Sequence, residues 1–223
     1  MRRLTILAAV PLLAAGFGLA AAGPASADAP ATCSGTIIGG DFGGNLEVPA
    51  GDFCLLQNTH VGGSVQLDAG ALGVSLLGGN TVDGNVQSLH DIVFDVRVFN
   101  STVGGNIVVH NMHAGTFGGM CRDTVGGNVI VQDEGGIFEI GEGGFDICPA
   151  GSGNHIEGNL TLTNNSGGNL VQGNTIDQSM HVDGNGSEQI LGNTVGGTLE
   201  CQNNAAITSA GNTAGNFVGQ CTS

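Results

Sequence analysis

The chain rewrites one short phrase at a nearly fixed interval, and that interval limits the fold more than any other feature. Asn80-Thr81-Val82-Asp83-Gly84-Asn85-Val86 returns as Ser101-Thr102-Val103-Gly104-Gly105-Asn106-Ile107 and as Asn193-Thr194-Val195-Gly196-Gly197-Thr198-Leu199. The apolar residue opening each copy runs Phe42, Val61, Val82, Val103, Val125, Ile156, Ile176, Val195, Ala214, in steps of 19, 21, 21, 22, 31, 20, 19 and 19 residues. Such a period is too short for a helical pair but suits one coil of a solenoid, whose units bury their apolar faces only against neighbours. The leucine-rich alternative fails because its Leu-x-x-Leu-x-Leu frame is absent. The expected fold is therefore all-β, a single-domain parallel β-helix of about nine coils of ~20 residues each.

Within a copy the pattern is that of a strand. Val82, Gly84 and Val86 share one face at spacing two, and Thr81, Asp83 and Asn85 share the other. The second glycine of the pair (Gly63, Gly84, Gly105, Gly127, Gly158, Gly197) reads as a tight corner, with Gln178 as the exception. The asparagine before threonine (Asn58, Asn80, Asn174, Asn193, Asn212) suits stacking of amide on amide and tolerates left-handed backbone.

Residues 1–27 read as a secretory signal peptide, with Arg2 and Arg3, an apolar run from Leu4 to Ala22 and an Ala25-Ser26-Ala27 cleavage site. Residues 28–223 form the repeat domain. After cleavage only Arg97 and Arg122 stand against the 19 acids, with no lysine. That surface repels nucleic acid and anionic lipid. No later stretch is apolar and long enough to enter a bilayer. Tryptophan and tyrosine are absent, which disfavours a deep glycan site.

Cys33, Cys54, Cys121, Cys148, Cys201 and Cys221 are an even set in an exported chain, so three disulfides are expected. Taken consecutively the pairs lie 21, 27 and 20 residues apart, close to one coil. Residues stacked on adjacent parallel strands are within disulfide reach, which predicts Cys33–Cys54, Cys121–Cys148 and Cys201–Cys221. The acidic insertion at 132–155 accounts for the long step. Its Asp133, Glu134, Glu139, Glu142 and Asp146 are candidate calcium ligands, although no spaced calcium loop is present; calcium is the only cofactor the sequence raises.

Asp91, Asp95 and Arg97 alternate with Ile92, Phe94, Val96 and Val98, which predicts one outward carboxylate–guanidinium cluster. Calcium-dependent lyases use that chemistry. His110 and His113 are three apart and face opposite sides of a strand. Thr81, Thr102, Thr124, Thr175, Thr194 and Thr213 predict an outward threonine column, a feature of ice-binding surfaces, without the usual second column.

The Asn-Thr-Val-Gly-Gly-Asn-[LIV] copies resemble the Gly- and Asn-rich repeats of exported actinobacterial proteins. The Val-x-Gly-Asn-[ILV] core is also similar to the bactofilin repeat, which implies a β-helix and a capacity for self-association. The expectation is a secreted, non-enzymatic structural or interaction module, outside the cell or on its surface, with itself or a cell-surface molecule as partner. A polysaccharide lyase or hydrolase of the parallel β-helix type and an ice-binding protein are the alternatives.

Overall fold

Each repeat turns three corners and lays down three strands. The computed structural model describes residues 30–88, 90–143 and 148–221; residues 1–29, where the expected signal peptide falls, Leu89, Asp146 and its neighbours, and the last two residues lie outside them. The first face carries the two-residue strands of the repeat phrase, such as Thr81–Val82, Thr102–Val103 and Thr124–Val125. The second carries Leu46–Val48, Val65–Leu67, Val86–Ser88 and their successors. The third is a nine-stranded sheet from Gly35–Ile38 to Ala206–Ala210, in unbroken sequence order. The first two faces merge into one 17-stranded sheet because Thr194–Gln202 and Thr213–Gly219 run through the corner without a break.

Every pairing joins a strand to its equivalent one repeat away, in parallel, as in Thr81↔Thr102↔Thr124. The nine stacked rungs make a column roughly 40 Å tall at the ~4.8 Å strand spacing. This is the parallel β-solenoid of about nine turns that the repeat period implies. Among the described residues no helix occurs.

Alternation explains the core. Val82, Val86, Val74 and Leu76 point inward and are at most 1 % exposed, while Thr81 stays outside. A one-residue slip would expose the valines and bury the threonines, so burial fixes the register of every coil. Side-chain volume is balanced between rungs: Gly118 pairs with Phe138, and a Cβ on Gly118 would lie 2.7 Å from that ring.

A polar ladder runs up each corner. On the first, Asn154 N–H donates to Asn174 Oδ1, Asn174 N–H to Asn193 Oδ1 and Asn193 N–H to Asn212 Oδ1, at 2.9–3.0 Å. Each amide Nδ2 also donates to a backbone carbonyl, as Asn174 does to Ile140 O at 2.8 Å. The second corner stacks Asn85, Asn106, Asn128 and Asn159 in the same way. Here the repeated glycine is required, because a Cβ on Gly105 would lie 2.8 Å from Gly84 O and run into Asn85 Oδ1. The third stacks Glu134, Asn165, Asn185, Asn204 and Gln220.

The asparagine expectation needs one correction. The left-handed residue is the one before the rung, as at Asn100, Arg122 and Asp133. In the Asn58 coil this shifts the roles: Asn58 takes φ of 49° and Thr59 occupies the rung, its N–H donating to Asn80 Oδ1 at 3.1 Å.

The three disulfides pair as expected, at Cα separations of 5.5, 5.8 and 5.2 Å. They do not join stacked residues, however. Gly35, not Cys33, is the rung partner of Cys54, and Gly219, not Cys221, is that of Cys201. Each terminal bond instead reaches round a corner into the core and plugs an open end of the column. Cys121–Cys148 ties Cys148 to the end of the third-face strand Phe117–Cys121.

Candidate functional site

The third face carries a cleft of about 640 Å³, and its shape follows from one outward column of side chains. Strand register places Phe53 beside Gly73, Gly73 beside Asp95, and Asp95 in line with Phe117. Gly73 leaves a notch between an aromatic ring and a carboxylate. A side chain there would collide with the Asp95 carbonyl, so the notch is built into the backbone. The turn from His113 to Thr116 forms one rim, with Thr116 Oγ1 donating to His113 O at 2.6 Å.

Phe94 closes the other rim through a bulge. Phe94 N–H and Asp95 N–H both donate to Leu72 O, at 3.0 and 3.2 Å, so two residues oppose one. The strand begins only at Asp95. This breaks the alternation expected from Ile92 to Val98: Ile92, Val96 and Val98 are buried, whereas Phe94 is 58 % exposed. Phe117, across the cleft, is 45 % exposed.

On the floor, Arg97 Nε lies 2.6 Å from Asp95 Oδ2. Burial pushes the Asp95 carboxyl up to about 6, although the adjacent guanidinium pulls the other way. The second oxygen, Asp95 Oδ1, is shielded from solvent and has no hydrogen-bond partner among the described residues. Asp91 does not join this pair. It sits exposed in the turn before the strand, its carbonyl accepting from Gly70 N–H at 3.1 Å. The expected cluster of three is thus a pair.

The calcium candidates are dispersed. The extra length of the long coil lies in 142–154, so Asp133, Glu134 and Glu139 belong to a regular coil rather than to an insertion over 132–155. Asp133 Oδ2 faces His110 Nε2 at 3.3 Å. Glu134 is a ladder rung, 1 % exposed, whose Oε2 accepts from Met112 N–H at 2.6 Å. Burial pushes it up to about 8. Glu139 is buried in the third-face sheet, and Glu142 accepts from Gly151 N–H. Asp146 lies outside the described residues. Among the described residues no three acids, histidines or cysteines gather in a geometry that could hold a metal ion.

The outward threonine column exists but is mixed. His60 and His155 stand in register with Thr81 and Thr124, and Asp83, Glu157 and Asp177 occupy the next outward column. His60 lies between Asp41 at 2.9 Å and Asp83 at 3.2 Å, whose hydrogen bonds raise its pKa.

Sequence reasoning found Asp95 and Arg97 but missed Phe53 and Phe117, took Phe94 for an inward residue of a strand, and singled out His113 only for its spacing from His110. Aligning the repeat on its third strand, Phe53-Cys54-Leu55-Leu56 over Phe117-Gly118-Gly119-Met120, was the signal that could have found two of the rings.

Fold and site together define a class: a disulfide-stapled parallel β-solenoid with an aromatic-rimmed cleft on one sheet. Compared with known proteins, the chain matches no family model, no curated protein and no solved structure. Among the described residues no helix is long and apolar enough to cross a membrane.

Proposed function

We propose that this chain is a secreted, non-enzymatic interaction module, an acidic rod that acts outside the cell or on its surface. One observation carries the reading. Of the three exposed large apolar side chains among the described residues, two, Phe94 and Phe117, flank one cleft. Exposed rings gathered around a polar floor are what a binding surface needs and what a purely structural rod avoids. Three disulfides and the leader-like start of the sequence support an oxidising, exported setting.

The test uses the oxidised chain without its leader, mixed with intact cells of the strain that makes it. Retention on the cells, lost in a Phe94→Ala/Phe117→Ala double variant, supports the reading. Equal retention of both forms, or no retention of either, overturns it. Light scattering with and without calcium on the same sample separates binding to cells from self-association.

A further inference from the structure

The cleft's chemistry narrows what it holds. Its rim is phenyl: Phe53 and Phe117 stand three rungs apart, roughly 14 Å along the column, with Phe94 facing them. Its floor is a guanidinium with donors to spare, anchored by a buried carboxylate. Asp95 is 8 % exposed, so it holds Arg97 from beneath rather than meeting a ligand itself. Arg97 turns Nε toward Asp95 Oδ2, at 2.6 Å, and keeps its two terminal NH2 groups, four of its five N–H donors, for a ligand.

The occupant must therefore present flat apolar faces to the rings and, at its edge, acceptors for the guanidinium. Adjacent hydroxyls on a pyranose ring do both. Both accept from the terminal NH2 groups of Arg97, and the ring's C–H face lies on phenyl. A simple apolar ligand leaves the guanidinium without an acceptor. A cationic one meets Arg97.

Charge excludes a third class. The chain carries 19 acids and no lysine, so a polyuronate or another anionic glycan is repelled before it reaches the cleft. From these residues we infer that the cleft binds a neutral glycan, a short run of pyranose rings lying along the column axis. This rests on the reading of the chain as an interaction module and gives that module a ligand class. It also reverses the expectation from the missing tryptophan and tyrosine, because phenylalanine offers the same apolar platform without a polar tip.

The experiment is calorimetric titration of the oxidised, leaderless protein with cellohexaose, chitohexaose and maltohexaose, and with hexagalacturonate as the anionic comparison. Binding of at least one neutral hexasaccharide is expected, with none for hexagalacturonate. Phe94→Ala and Phe117→Ala replace exposed rings and leave the fold intact; each weakens the interaction about ten-fold or more, the equivalent of ~1.4 kcal/mol. Asp95→Asn, which keeps the shape but replaces a carboxylate oxygen with a donor, weakens it as well. Hexagalacturonate binding as tightly as the neutral sugars overturns the inference, as does affinity unchanged in both phenylalanine variants. Retention on cells without binding of any neutral hexasaccharide overturns the glycan assignment and leaves the interaction module standing. Failure of both removes both.

Discussion

Asn174→Ala tests whether the ladders hold the column together. Asn174 is 1 % exposed, and its Oδ1 accepts from Asn154 N–H at 2.9 Å and from Asn154 Nδ2 at 3.0 Å. Its Nδ2 donates to Ile140 O at 2.8 Å and to Asn193 Oδ1 at 3.0 Å. Truncation strips the Asn154 N–H of its acceptor where water does not reach, and removes a donor from Ile140 O. An unsatisfied buried donor costs about 1–3 kcal/mol and each lost net bond about 1, so the loss should be about 2–4 kcal/mol. The assay is denaturant unfolding of the oxidised protein at neutral pH. Thr175→Ala is the comparison, because Thr175 is the exposed neighbour on the same turn and should change stability by less than ~0.5 kcal/mol. A loss below ~1 kcal/mol for Asn174→Ala, with an unchanged denaturant slope, would refute the idea that the ladder is energetically important.

Two further outcomes follow from the buried carboxyls and the terminal staple. Asp95, Asp123, Glu134 and Glu188 all have raised pKa values, chiefly from burial, with Asp95 at about 6 and both glutamates at about 8. A raised carboxyl contributes stability that is complete below its unfolded pKa near 4 and is lost as pH rises through the folded value. The unfolding midpoint should therefore climb as pH falls from about 8 to 4, the reverse of ordinary acid denaturation, and Asp123→Asn should flatten that slope. Breaking Cys201–Cys221 by paired serine substitution should cost about 3 kcal/mol. It should speed amide exchange in Ala206–Ala210 and Thr213–Gly219 while leaving the first coils protected.

What the sequence made legible is the part written in repeated letters. Thr-Val-x-Gly-Asn recurs on the first face, so the period, the inward valines and the glycine corner could be read from it, and with them the disulfide pairing. The third corner obeys the same physics, a left-handed residue followed by a rung. It is spelled Asp133-Glu134, Asn164-Asn165, Gly184-Asn185 and Asn203-Asn204, and three spellings of one backbone state do not look like a motif. Glu134 shows the consequence. As a letter it belongs with the acids of a calcium loop; in the column it replaces an amide and accepts a backbone N–H. The cleft was hidden for a different reason. Phe94 follows the parity of Ile92 and Val96, and only a bulge at Leu72, formed across coils, turns it outward. Local alternation carries no information about a neighbour's hydrogen bonds.

A parallel stack also explains where this acidic chain puts its charges. Identical positions on successive coils sit ~4.8 Å apart, where two like charges repel by about 3–4 kcal/mol at an effective dielectric of 20. Carboxylates therefore cannot repeat up a column as asparagine does. Register places Asp83 between Gly62 and Gly104. Where two acids do fall on successive rungs, Glu157 and Asp177, His155 Nε2 lies 3.1 Å from Asp177. His110 and His181 face Asp133 and Glu200 in the same way, at 3.3 and 3.1 Å. Histidine thus serves between coils as the partner that lysine supplies in other proteins. Arg97 is set apart by this arrangement. Its carboxylate partner is buried beside it on its own strand, not on the next coil, so the guanidinium keeps donors free in a cleft that three phenyl rings also line. On the histidine-bearing rungs the carboxylates find their partners across coils, and the cleft is where that pattern gives way to a site able to hold something from outside.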